Sequence, residues 1–261
     1  PAARAADALS LLLATTVPGR SRVLVGHTPA DPLCDALADA EARSVAAHLT
    51  TTALPGDQAS IFDALAMLQG DEPVHWVVHG EYRPHDPLAS CVRFSGRRSM
   101  RELPAWLVAL YDCRSPLSLS SCYALLVGGT RDDGQATASE ALLGPVGFGP
   151  LLRARGAPWV LGPLWESNML ASAVFYDRFY ADFRNDAGGC DPHQALPRAM
   201  TALRGISAGE LRDWATGRGD AVFACAQSMI EFMASLGCAR PFDHPAWWAQ
   251  FSLLGARASK G

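Results

Sequence analysis

Short β-branched runs alternate with longer stretches of helical periodicity along this 261-residue chain, and that alternation limits its fold more than any other feature. Ser21-Arg-Val-Leu-Val-Gly26, Val74-His-Trp-Val-Val-His-Gly80, Leu117-Ser-Leu-Ser-Ser-Cys122 and Pro158-Trp-Val-Leu-Gly-Pro-Leu164 read as strands. The first two are expected to end at their glycines, and Leu49 to Leu54 alternates Thr with apolar residues as a further strand would. Between them, Asp35 to Leu49 carries Leu37, Ala40, Val45 and Leu49 at helical spacing, with Asp35 near the start where an acid favours the helix dipole. Leu54-Pro-Gly-Asp57 turns into a second helix, with Asp57 the expected cap and Ile61, Leu65 and Leu68 facing inward. Helical patterns also cover Leu103 to Leu110 (opened by Pro104), Val146 to Arg155, Met169 to Phe183 and Gln194 to Arg204. Gly128–Gly134, Ala187–Pro192 and Gly205–Asp220 read as surface loops. Strands joined through helices predict an α/β fold with a largely parallel sheet covered on both faces. With no linker in sight, residues 1–261 are expected to form a single domain.

Composition narrows the functions open to such a fold. The chain is 49% hydrophobic with a formal net charge of −4, which excludes an intrinsically disordered chain. Its 22 basic residues against 26 acidic ones leave no electrostatic footprint for phosphate, so direct nucleic-acid binding is not expected. No apolar run reaches the ~18 residues of a membrane span, and the opening residues carry no signal-peptide pattern, so no membrane partner is expected. Seven scattered cysteines, none spaced C-x-x-C, point to a reducing compartment such as the cytoplasm.

Reactive groups in open α/β sheets gather at the carboxyl ends of the strands. Here one strand finishes Val77-Val78-His79-Gly80 and another Leu119-Ser120-Ser121-Cys122. A histidine and a cysteine on neighbouring strand ends are the minimum kit for thiol nucleophilic catalysis, since the imidazole can assist the thiolate or protonate a leaving amine. The backbone N–H groups of Gly80 and Cys122 are candidates for an oxyanion hole. A buried cysteine and a structural histidine are the bland alternative for the same residues.

These segments resemble the CHAT domain, a branch of the caspase-like cysteine peptidases related to separase. The family's strand ending in His-Gly is matched by Val74 to Gly80, and its strand ending in Ser-Ala-Cys by Ser120-Ser121-Cys122. A glycine-rich stretch, a helix, Gly-Ala, a strand and Leu-Trp follow in Gly144 to Trp165. Phe179-Tyr180, Ala195-Leu196-Pro197-Arg198-Ala199 and Pro245-Ala-Trp-Trp248-Ala249-Gln-Phe251 with Gly255 continue the order, so the similarity runs from about Val23 to Gly255. The resemblance implies a caspase-like three-layer sandwich, with a mainly parallel central sheet flanked by helices. It also implies hydrolysis of a protein or peptide substrate by a Cys122/His79 dyad without cofactor or metal. Such domains are often activated by a partner, a sensor or regulatory protein, and act in bacterial defence or cell death. Tyr123-Ala124 stand where many relatives have Glu-Thr, and no aspartate lies two residues before the cysteine. For substrate contact the candidates are Glu166 and Trp165, with Asp132 and Asp133 in the loop after the nucleophile; Glu166 is equally suited to opening the next helix. Basal activity is expected to be low until a partner or loop cleavage orders the segment Leu126 to Leu143. The rival readings are a non-catalytic scaffold with an inert dyad, and a thiol hydrolase acting on small esters or amides.

Other constellations carry less. His75 and His79 are spaced H-x-x-x-H, which on a strand puts them roughly 13 Å apart, too far to share one ion, so His75 is expected to be a satisfied core residue. Gly144-Pro-Val-Gly147-Phe-Gly149 lacks the dinucleotide order, and neither a P-loop nor G-x-S-x-G occurs. Trp247 and Trp248 are expected to pack the terminal strand against a helix, and Cys34, Cys113, Cys190, Cys225 and Cys238 to be structural or loop thiols.

Overall fold

The computed structural model describes residues 21–26, 32–55, 58–81, 83, 86–94, 102–121, 124, 147–183 and 191–255. In chain order the elements are β1 (Val23–Val25), α1 (Pro32–His48), β2 (Ala53–Leu54), α2 (Ile61–Leu68), β3 (Val74–Val77), β4 (His79–Glu81), β5 (Cys91–Arg93), β6 (Glu102–Pro104), α3 (Ala105–Val108) and β7 (Leu117–Ser120). They continue with α4 (Phe148–Ala154), β8 (Val160–Pro163), α5 (Met169–Phe183), α6 (Pro192–Gly205), α7 (Ala208–Ala215), α8 (Asp220–Ser235), α9 (Pro245–Trp248) and β9 (Phe251–Leu254).

Six strands form the central sheet in the order β2-β1-β3-β7-β8-β9. The first five run parallel, and β9 returns antiparallel along β8, with Gly162 opposite Ser252. Side chains alternate between two cores, as the period-two geometry of a strand requires. Val23, Val25, Val77 and Leu161 pack with residues of α1, α5, α6, α7 and α8. Leu24, Trp76, Leu117, Leu119 and Val160 pack on the other face with residues of α2, α3 and α4. A sheet buried on both faces between helical layers is the three-layer α/β sandwich expected from the apolar strands.

Several local expectations are corrected. The strand from Val74 does not continue to Gly80: it leaves the central sheet after Val77, and His79–Glu81 starts a separate antiparallel sheet of order β4-β5-β6. Glu81 there bonds Arg83 and pairs with Arg93, while Arg93 also reaches Glu102, a cross-strand ladder that holds the small sheet together. Of Leu49–Leu54, the strand is Ala53–Leu54, because the chain first turns through Thr50 at φ 53°. The cap of α2 is Ser60, in a capping box with Asp63; Asp57 lies outside the described residues. Leu103 belongs to β6, and Pro104 is the N-cap of α3 rather than part of its first turn. The stretch Gly205–Asp220 contains a helix, α7, opened by a Ser207/Glu210 capping box and burying Leu211 and Trp214. Trp247 and Trp248 lie in α9, just before β9, and, as expected of them, pack partly buried against the core that holds Phe251 and residues of α5 and α6; the Arg204 guanidinium of α6 lies 5.4 Å from the Trp248 ring.

One carboxylate joins three helices. Asp177 of α5 accepts hydrogen bonds from Ser44 and His48 of α1 and from Trp214 Nε1 of α7 (2.9 Å), with Arg218 3.8 Å away. Burial pushes the Asp177 carboxyl up, but the bonds from His48, Ser44 and Trp214 and the Arg218 charge outweigh it and hold it at about 2. A carboxyl depressed in the folded state contributes stability that is complete above its unfolded value of 3.8 and is lost as the pH falls toward 2. Asp177→Asn is therefore expected to destabilise the chain by about 2 kcal/mol at pH 7 and to flatten the acid limb of a urea-melt series between pH 4 and 2.

Candidate active site

The carboxyl ends of β1, β3 and β7 lie side by side, because each is hydrogen-bonded to the next. Val25 is opposite Val77, and Val77 is opposite Ser120. Beyond the strands, Gly26 N–H donates to Val77 O (2.7 Å) and Val78 N–H to Ser120 O (3.1 Å). His79 follows directly and is exposed at the first position of β4, opposite Arg93; Gly80 is half-buried opposite Val92. Ser121 follows β7 and is buried. Cys122, Asp132 and Asp133 lie outside the described residues.

A cavity of about 110 Å³ opens at these strand ends. Its lining comes from Gly26, from Val77, Val78 and His79 after β3, and from Ser120 and Ser121 after β7. One wall is the first turns of α1, with Cys34, Asp35 and Ala38; the other is the start of α5, with Ser167, Met169 and Ser172. The Ser167 and Ser172 hydroxyls are bonded to each other. Asn168 Oδ1 accepts Ala171 N–H (3.0 Å) and so opens α5. That is the task for which Glu166 was the alternative candidate; Glu166 is exposed two residues upstream. Trp165 is 37% exposed, its Nε1 donating to Ala246 O (3.3 Å). Neither Trp165 nor Glu166 lines the cavity. Among the described residues, the acid that does is Asp35, whose sequence signal was only that of a helix-dipole residue.

Beneath the cavity, the two strands are joined on their α1/α5 face. His75 Nε2 is 2.9 Å from Glu41 Oε1, and a carboxylate only accepts, so this nitrogen carries the proton. His75 Nδ1 is 2.6 Å from Ser118 Oγ, which is 2.5 Å from Tyr180 OH. Glu41, His75, Ser118 and Tyr180 are all fully buried or nearly so. Tyr176 OH donates to Leu119 O (2.8 Å), and burial pushes its hydroxyl well above the usual tyrosine range. His75 is thus the satisfied core histidine expected, with both ring nitrogens engaged. Among the described residues, one group of metal-type side chains converges, Glu81, Cys91 and Glu102, within 4.8 Å of one another. Both carboxylates there already pair with Arg93, and burial followed by the two carboxylates raises the Cys91 thiol, so this cluster is a salt-bridge ladder over a protonated thiol.

A sequence model of the CHAT domain matches residues 18–256. The chain belongs to the CHAT domain family. CHAT domains are related to the caspase-like peptidases, and the parallel sheet between helical layers is the architecture expected of that relation. A search among curated proteins gave no match. The membership bears out the family resemblance read from the sequence.

Close backbone packing shapes this end of the CHAT sheet. A Cβ placed on Gly26 would lie 2.6 Å from Arg93 O and 3.2 Å from Val78 Cγ1, so the tip of β1 and the strand β5 come together only because residue 26 has no side chain. Gly26→Ala is expected to push these backbones apart and cost about 1–3 kcal/mol of unfolding free energy in urea denaturation.

Proposed function

We propose that this CHAT domain is a cysteine endopeptidase in which Cys122 is the nucleophile and His79 the general acid/base. The observation that carries the reading is the register of β3 on β7. His79 is two residues beyond Val77, Cys122 is two residues beyond Ser120, and Val77 and Ser120 are direct partners. The family's signature histidine and cysteine therefore follow matched positions on adjacent parallel strands, and His79 lines a cavity together with the two serines that precede Cys122.

In the proposed reaction His79 takes the proton of the Cys122 thiol, the sulfur attacks the scissile carbonyl carbon and a C–S bond forms. The backbone N–H groups of Gly80 and Cys122 hold the resulting oxyanion. Collapse of the tetrahedral intermediate breaks the C–N bond, and the departing amine takes a proton from His79. Water, giving a proton to the imidazole, then attacks the thioester; the C–S bond breaks, and the imidazolium returns the proton to sulfur as the acid leaves. Trp165 and Glu166, exposed immediately before the cavity-lining Ser167, are proposed to contact the substrate chain outside the cavity. Asp132 and Asp133, further along the chain after Cys122, are proposed for the same role. A reducing compartment suits this chemistry, because the nucleophile is a thiolate that oxidation would consume. No helix among the described residues is long and apolar enough to cross a membrane.

Cys122→Ala is expected to abolish cleavage in a proteome-wide profile of new N-termini, with an unchanged thermal midpoint; retained cleavage would refute the assignment. His79→Ala is expected to lower the rate by about 10²–10⁴-fold, the usual contribution of a general acid/base. Activation by a sensor or regulatory partner, in bacterial defence or cell-death signalling, is the biological setting proposed. It predicts that adding such a partner raises cleavage well above that of the isolated chain, and equal rates would count against it.

A further inference from the structure

Three arginines gather around the buried carboxylate that joins α1, α5 and α7. Arg43 precedes Ser44 on α1, and Arg178 follows Asp177 on α5. Ser44 and Asp177 are hydrogen-bonded, so the two arginines flank one contact between these helices. Arg218, between α7 and α8, places its guanidinium 4.3 Å from the Trp214 ring centroid and 3.8 Å from Asp177 Oδ2. His48, half-buried on α1, points its Nε2 at the same carboxylate. Arg43 and Arg178 are exposed, and no carboxylate among the described residues lies within ion-pair distance of either. Asp177 sits beneath them, its oxygens already taken by Ser44, His48 and Trp214. Glu210 feels the charges of Arg178 and Arg240, but it is spent on capping α7 through Ser207. The arginines also act on one another. Burial holds the Arg218 guanidinium below its usual range; Asp177 opposes this, and the charges of Arg178 and Arg43 add to it. Cations that disfavour each other in this way are relieved by a bound anion. The chain as a whole carries a formal charge of −4, so the excess is local.

We propose that Arg43, Arg178 and Arg218 form a binding site for a small molecule that carries a diphosphate group. A guanidinium presents a planar fork of N–H donors that matches phosphate oxygens in pairs. Three such forks, with one saturated carboxylate beneath them, leave more positive charge than a single carboxylate ligand or chloride can neutralise. A diphosphate brings at least two negative charges, with acceptor oxygens facing several directions, and so can meet forks arriving from different elements. Bound there, it would bridge α1 and α5, the helices whose first turns wall the cavity at the strand ends. The site is separate from that cavity, and the proposal does not depend on the dyad.

The test measures binding of inorganic phosphate, pyrophosphate and ADP by titration calorimetry at fixed ionic strength, with thermal unfolding alongside. Pyrophosphate and ADP should bind saturably and raise the thermal midpoint, as ligands of a native state do. Inorganic phosphate, with half the phosphate, should bind more weakly. Equal affinities for pyrophosphate and ADP would show that the diphosphate alone is recognised, and tighter ADP binding would add the nucleoside to the ligand. Arg43→Gln and Arg178→Gln should each weaken pyrophosphate binding about tenfold, the loss expected for one charge-assisted hydrogen bond. Neither should lower the midpoint of the unliganded chain, because each removes a repulsion and breaks no ion pair. Arg114→Gln, just before β7 and bonded to Gln69 O, is the control and should leave the affinity unchanged. The inference is overturned by a lack of saturable binding of pyrophosphate and ADP, or by an affinity that Arg43→Gln and Arg178→Gln do not touch. Equal weakening by Arg114→Gln would overturn it too, since the attraction would then come from the chain's arginines at large.

Discussion

At the centre of the sheet, His75 and Ser118 sit opposite each other on two parallel strands, and their side chains complete a buried hydrogen-bonded chain from Glu41 on α1 to Tyr180 on α5. Such a chain is tolerated in a core only when every member is satisfied, since losing one partner would leave a buried polar group or charge without compensation. Its geometry therefore specifies one register of β3 on β7 and one seating of both helices on the sheet. Slipping either strand by one residue would turn His75 or Ser118 to the opposite, apolar face.

The cavity at the strand ends inherits that specification. Two of its walls begin on α1 and α5, the helices tied down by Glu41 and Tyr180, and tied to each other again by Asp177. The remaining lining follows β1, β3 and β7, whose ends are held level by Gly26 and Val78 N–H bonds to the neighbouring strand. Buried polar ties below and backbone bonds at the rim thus give a loop-built site a rigid base, the usual arrangement when reactive groups sit above a parallel sheet.

The small antiparallel sheet is where reading the sequence as simple alternating elements falls short. Val74 to Gly80 is one apolar run, yet its last residues pair with β5 and not with the central sheet. Nothing local marks the break at Val78, because the partners that capture His79–Glu81 are Cys91–Arg93, ten or more residues downstream. Helix α7 is a different case. Its Ser207/Glu210 capping box and its buried Leu211 and Trp214 are legible in the sequence, but the glycines on either side make the stretch look like a loop. Asp57 and Ser60 show the same competition on a shorter scale: both are good caps, and the one with an acid three residues later takes the role.

The sequence by itself determined the α/β class, the faces of its main helices, the CHAT relation and the histidine and cysteine that mark the candidate dyad. These follow from periodicities and ordered motifs, which are properties of neighbouring residues. Tertiary structure alone decided that Asp35 and Met169 line a cavity with His79, that Ser121 holds an unsatisfied hydroxyl there, and that His75 is spent on Glu41 and Ser118. Each of those depends on atoms brought together from strands and helices far apart in the chain, and burial and hydrogen-bond satisfaction have no meaning until that packing exists.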